Sequence, residues 1–253
     1  MSFSRRQKAV LTLLVIYWLT IFTLTHIPLD KISNWVLRID ISDKTLHYLA
    51  YLLLSFLLWV TIVPQSRVNW LRPKVWWILL VIMCYGAIDE WLQNYVGRNC
   101  SIMDFFADLA GAFSALIVLS IFAFWPALLI VTAAVIFGLT NLSRVDLAAL
   151  SPVTNIIFHL TAYALLSIIC IRYLHSRLPR DTSEPKRLFL AFIIPTAFLF
   201  FVKLISVILG KGFQGHPVFV SIAAIAIIVV IYYAIMLLSR KKLQQKAKRQ
   251  HQE

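Results

Sequence analysis

Charge is scarce in this chain, and negative charge is scarcer still. Only 14% of its 253 residues are charged, and 11 Asp and Glu stand against 24 Lys and Arg. With 60% hydrophobic residues and a mean hydropathy of +0.82, there is too little polar surface to clothe a soluble domain. The composition therefore points to an all-α polytopic membrane protein. Cysteine is equally sparse. Cys84, Cys100 and Cys170 have no CxxC partner, and two of them lie inside apolar runs, which excludes a disulfide framework and a metal knuckle. No GxSxG, HExxH or phosphate loop is present, so no metal-ligand or nucleophile motif names a reaction or a cofactor.

What the chain does have is apolar length. Runs long enough to cross a bilayer fall at 9–27, 45–63, 75–95, 103–122, 124–140, 153–173, 187–209 and 217–238, about eight spans. The break between the fourth and fifth is marked only by Phe124-Trp125-Pro126, and proline either starts a helix or kinks one. The first run follows basic residues like a signal peptide, but it lacks a small-residue cleavage site and reads as an uncleaved first helix.

The formal charge of +13 resembles a nucleic-acid footprint, yet the positions of the charges argue against nucleic acid as a partner. With eight spans, the N-terminus, the 64–74 and 174–186 loops and the basic tail (239–253) share one side. That side carries 17 of the 24 Lys and Arg, from Arg5 to Arg249. Cytoplasmic loops are the basic ones, so both termini are expected in the cytoplasm and the chain in the cell membrane. The tail reads as a stop-transfer anchor.

Self-similarity divides the chain at about residue 123, with repeats at 1–123 and 124–238. Leu24-Thr25-His26 matches Leu139-Thr140-Asn141, and Asp43-x3-His47-x2-Ala50-Tyr51 matches Asn155-x3-His159-x2-Ala162-Tyr163. Pro73-Lys74 matches Pro185-Lys186, and Gly97-Arg98 matches Gly210-Lys211. The offsets are 115, 112, 112 and 113, as expected of two parallel four-helix repeats. The second copy is chemically poorer: Asp43, Lys44, Asp89 and Asp104 become Asn155, Ile156, Val202 and Pro217. Glu90 becomes Lys203, and a lysine inside a span calls for a carboxylate partner, for which Asp89 and Glu90 are the candidates.

Three polar stripes mark the candidate site. Asp43, His47 and Tyr51 are spaced i, i+4, i+8 and share a face of the second span, with Lys44 beside them. Asp89 and Gln93 share a face of the third, with Glu90 one position round. Asp104, Asp108 and Gly111 form the third stripe, on the fourth span. All three lie at the same, outward end, where packing assisted by Gly111 and Ala115 gathers them around a polar cup. Ionisable groups are costly in hydrocarbon, so such a cluster is a functional-site candidate. Each residue also has a plainer role. Asp43 and Asp104 suit helix N-termini, while Tyr48, Trp91 and Tyr95 suit an interfacial aromatic belt. Arg98 is either a carboxylate partner or an anion clamp.

The order Asp43-Lys44-x2-His47-x3-Tyr51, Asp89-Glu90-x2-Gln93 and Gly97-Arg98-x5-Asp104-x3-Asp108-x2-Gly111 resembles the VanZ-like family of bacterial membrane proteins. The resemblance covers residues 10–120, with the second half as a degenerate copy. The chain departs from the family at Asp108, usually Asn there, and at Ala115, where glycine is often found. The family's association with low-level teicoplanin resistance implies a cell-envelope role and no defined reaction.

Three functions fit. The first is an enzyme on a lipid-linked or headgroup substrate, with His47 as acid or base oriented by Asp43. Asp89 or Glu90 would be its second base or a divalent-metal ligand, and Arg98 would hold phosphate. The second is a transporter or binder of an envelope lipid, precursor or glycopeptide antibiotic, with Lys44, Tyr51, Gln93, Arg98, Asp104 and Asp108 as binding residues. The third is an ion-pair lock between helices. Lys31-x6-Arg38 superficially matches membrane lipid phosphatases, but Ile39 replaces the expected proline and the later Ser-Gly-His element is missing.

Overall fold

Apolar side chains leave a chain in lipid one economical backbone solution, since hydrocarbon offers no partner for N–H and C=O groups. The computed structural model describes residues 5–26, 44–64, 66–96, 101–144, 151–179 and 181–250, with backbone alone at 5, 6 and 240–250. The regular structure among them is helical throughout. The elements are α1 (Arg5–Thr25), α2 (Lys44–Ile62), α3 (Pro73–Gln93), α4 (Ile102–Ile121), α5 (Phe124–Phe137), α6 (Pro152–Arg177), α7 (Glu184–Ile208) and α8 (Gly215–Gln250). A 3₁₀ turn, Asn94–Val96, extends α3, and a π turn, Gly138–Leu142, extends α5. Each of these eight helical segments is long and apolar enough to cross a bilayer, as expected of a multi-pass membrane protein.

The break at Phe124-Trp125-Pro126 is a true helix start. Phe122 and Ala123 are extended, and Pro126 falls in the first turn of α5, where a missing N–H leaves no bond unmade.

The chain forms two compact units, Met1–Pro152 and Val153–Glu253. The first takes in α5, one span beyond the repeat boundary expected at 123. The reason is packing: Ala127 and Val131 of α5 are fully buried in the core built by α2 and α4, and Leu49 of α2 lies over Gly138. A sequence repeat and a packing unit are thus different divisions of this chain.

In the first unit α2 is the central helix. Leu54, Phe56, Trp59 and Tyr51 are buried along it, while α1 keeps Leu13, Ile16 and Leu19 exposed, as a lipid-facing helix does. Three bonds fix its neighbours. The Tyr17 hydroxyl of α1 donates to Ala50 O at 3.0 Å, and the Ser55 hydroxyl donates to Ala112 O of α4 at 3.3 Å. The Thr45 hydroxyl reaches Leu142 O at the end of α5, at 3.3 Å. Gly111 sets the α2–α4 distance: a Cβ there would collide with Tyr48 O and come within 2.9 Å of Leu52 N. Only hydrogen fits, which is the small-residue contact expected at this position.

Candidate functional site

Because α2 and α4 begin where α1 and α3 finish, their polar ends converge at one end of the first unit. His47, on the first turns of α2, is buried. Its Nδ1 pairs with Asp108 Oδ1 of α4 at 3.0 Å and stands 3.9 Å from Glu90 Oε1 of α3. Its other ring nitrogen lies 3.9 Å from Asp104 Oδ2. One imidazole thus faces three carboxylates from two helices. Lys44, half-exposed at the rim, approaches Asp104 Oδ1 at 3.8 Å.

Asp89 and Glu90 separate. Neighbouring helical residues point about 100° apart, and here that rotation sends them to different partners. Asp89 turns toward α1, accepting from the Gln93 amide at 3.0 Å and lying 3.2 Å from the Thr25 hydroxyl and 3.7 Å from His26 Nδ1. Glu90 turns toward α4, where its Oε2 accepts the backbone N–H of Ser101 at 2.9 Å. Ser101 is the N-cap of α4, and the expectation that Asp104 caps this helix is corrected accordingly. Asp104 occupies the first turn and aims at His47 and Lys44.

All four carboxylates, Asp89, Glu90, Asp104 and Asp108, are no more than 4% exposed. Among the described residues Glu90 Oε1 and Asp108 Oδ2 have no hydrogen-bond partner, and neither does the buried hydroxyl of Tyr51. Gly86 keeps this region open. A Cβ on it would sit 3.5 Å from Asp108 Oδ2 and from the Tyr51 ring. Ligand atoms of His47, Glu90 and Asp108 all lie within 4.8 Å of one another, the one such trio among the described residues.

Of the sequence-predicted site residues, His47, Glu90, Asp104 and Asp108 meet directly, with Tyr51 and Gln93 on the flanks and Lys44 at the rim. Asp89 contacts Thr25, Gln93 and His26 instead of His47. Asp43 and Arg98 lie outside the described residues. Trp91 and Tyr95 are exposed and in edge contact with ring centroids at 5.1 Å, as a belt requires. Sequence reasoning did not place Thr25 and His26 in the site. Their signal was the repeat match to Thr140-Asn141, which marked them as aligned positions and said nothing of Asp89.

The second unit repeats the frame without the acids. His159 of α6 bonds Ser221 of α8 through Nδ1 at 3.2 Å, as His47 bonds Asp108. Tyr163 stacks on His159 with ring planes 5° apart. Lys203 is buried within electrostatic reach of His159. Asp181, Glu184 and Glu253 are the only acids of this unit, and none aligns with Asp89, Glu90, Asp104 or Asp108. No family model, curated protein or solved structure matches the chain.

Proposed function

We propose that the chain acts in the bacterial cell envelope through the polar cluster of its first unit. In this reading the cluster faces outward and takes the headgroup of a lipid or lipid-linked precursor. Support for the envelope comes from the VanZ-like order of residues and from the basic loops that put the opposite face in the cytoplasm. Support for a site comes from one observation above the rest. A pure ion-pair lock satisfies its buried groups, yet Glu90 Oε1, Asp104 Oδ1 and Asp108 Oδ2 are buried without hydrogen-bond partners among the described residues. Unmet polar atoms around one histidine are places for something else to bind.

The roles divide by geometry. His47 is the proton-transferring or ligand-binding group, held by Asp108 and approached by Asp104. Glu90 is the carboxylate presented to the same space, while Asp89 ties α3 to α1. A transporter reading gains little, because the cluster sits at helix ends and not at the middle of the spans.

The test compares wild type with His47→Ala and Glu90→Gln, expressed to equal membrane levels in a strain lacking the protein and challenged with teicoplanin and other envelope stresses. Protection is expected to fall in both variants with folding intact. Unchanged protection in both would reduce the cluster to a lock.

A further inference from the structure

Among the described residues, four buried carboxylates face little positive charge. Among the described residues of the first unit, the groups within 4.0 Å of them are His47, His26 and the half-exposed Lys44. Asp89 is met by Thr25, Gln93 and His26, and Asp104 by Lys44 and His47. Glu90 Oε1, Asp108 Oδ2 and Asp104 Oδ1 all lack a hydrogen bond among the described residues; Lys44 stands 3.8 Å from the last, while Glu90 and Asp108 share one histidine. One carboxylate oxygen from each and one imidazole nitrogen lie within 4.8 Å of one another, a compact N,O,O trio.

We propose that His47, Glu90 and Asp108 hold a single divalent transition cation, Mn²⁺ or Zn²⁺. Two carboxylates and a +2 ion sum to zero, which removes the cost of two unmet charges in a water-poor setting. One imidazole with two carboxylates suits Mn²⁺ or Zn²⁺ better than Ca²⁺ or Mg²⁺, which prefer oxygen alone. The surroundings fit. Metal-bound histidines are oriented by a carboxylate on the far ring nitrogen, and Asp104 stands there at 3.9 Å, itself held by Lys44. Glu90 is pinned through its other oxygen by Ser101 N–H, leaving Oε1 for the ion. Three protein ligands leave open positions, where a phosphate-bearing headgroup binds despite the surrounding negative charge. This inference rests on reading the cluster as a binding site, and it gives that site its affinity for anions.

The full chain, purified in detergent and stripped with chelator, is titrated with Mn²⁺ while electron paramagnetic resonance follows the free ion. One ion per chain is expected, displaced by Zn²⁺, with a ¹⁴N coupling from the His47 imidazole on bound Mn²⁺. Glu90→Gln and Asp108→Asn should each weaken binding at least tenfold, and His159→Gln, in the second unit, should leave it unchanged. Absence of stoichiometric binding, or binding indifferent to both acid variants, overturns the proposal. If those variants do not fold, the ¹⁴N coupling in wild type decides alone, and its absence overturns the assignment. Loss of protection in Glu90→Gln with no bound ion would sink the metal and keep the envelope function. A bound ion with protection unaffected would do the reverse.

Discussion

Two adjacent acids, Asp89 and Glu90, have opposite dependencies on charge. Asp89 has an acceptor role, taking the Gln93 amide on one oxygen with the Thr25 hydroxyl near the other. Asparagine can keep both contacts, accepting from Gln93 and donating to Thr25. Asp89→Asn is therefore expected to change the unfolding midpoint in detergent only slightly. Asp89→Leu leaves a buried amide unpaired and is expected to cost about 1–3 kcal/mol, read in the same assay. Glu90 differs because Oε1 stands 3.9 Å from His47 Nδ1, so Glu90→Gln is expected to lower envelope protection while leaving folding intact. The sequence could show that both acids belong to a polar stripe. It could not show which one would be satisfied, because that depends on His26 and Ser101, residues whose polarity is ordinary at a span end.

At the level of helices, the eight apolar runs were legible because bilayer thickness sets a minimum length that few other structures need. Their ends were less so. α6 continues to Arg177 and α8 to Gln250, past the last apolar residue, since helix propagation does not stop where hydrophobicity does. The polar stripes were readable from i, i+4 spacing, and Gly111 from its place beside them. The grip of α5 on α2 was not, because Gly138 and Leu49 are unremarkable apolar-run residues until they touch. Two glycines make a clear test. Gly111→Val puts a branched side chain against the backbone of α2 and is expected to cost at least the about 1–3 kcal/mol typical of overpacking. Gly215→Ala meets nothing closer than 3.9 Å and should lie within about 0.5 kcal/mol of wild type in the same thermal assay.

For the whole molecule, orientation is the property on which the envelope reading depends. A fluorescent reporter fused after Glu253 should be bright, and a phosphatase reporter fused after Gly97 should be active, since the first requires the cytoplasm and the second the outside. The reverse pattern would put the cluster on the cytoplasmic face. The expected repeat rests on polar landmarks, which are rare in apolar runs. That α5 joins the first packing unit was not visible, since sequence similarity does not record contact. The two glycine seats on α2 also bear on how the site is framed. Gly111 of α4 and Gly138, in the π turn after α5, both sit against α2, so a side chain at either position would drive into its backbone at Tyr48 and Leu52 or into Leu49. By contrast, α1 meets α3 at this end through side chains, Thr25 and His26 against Asp89.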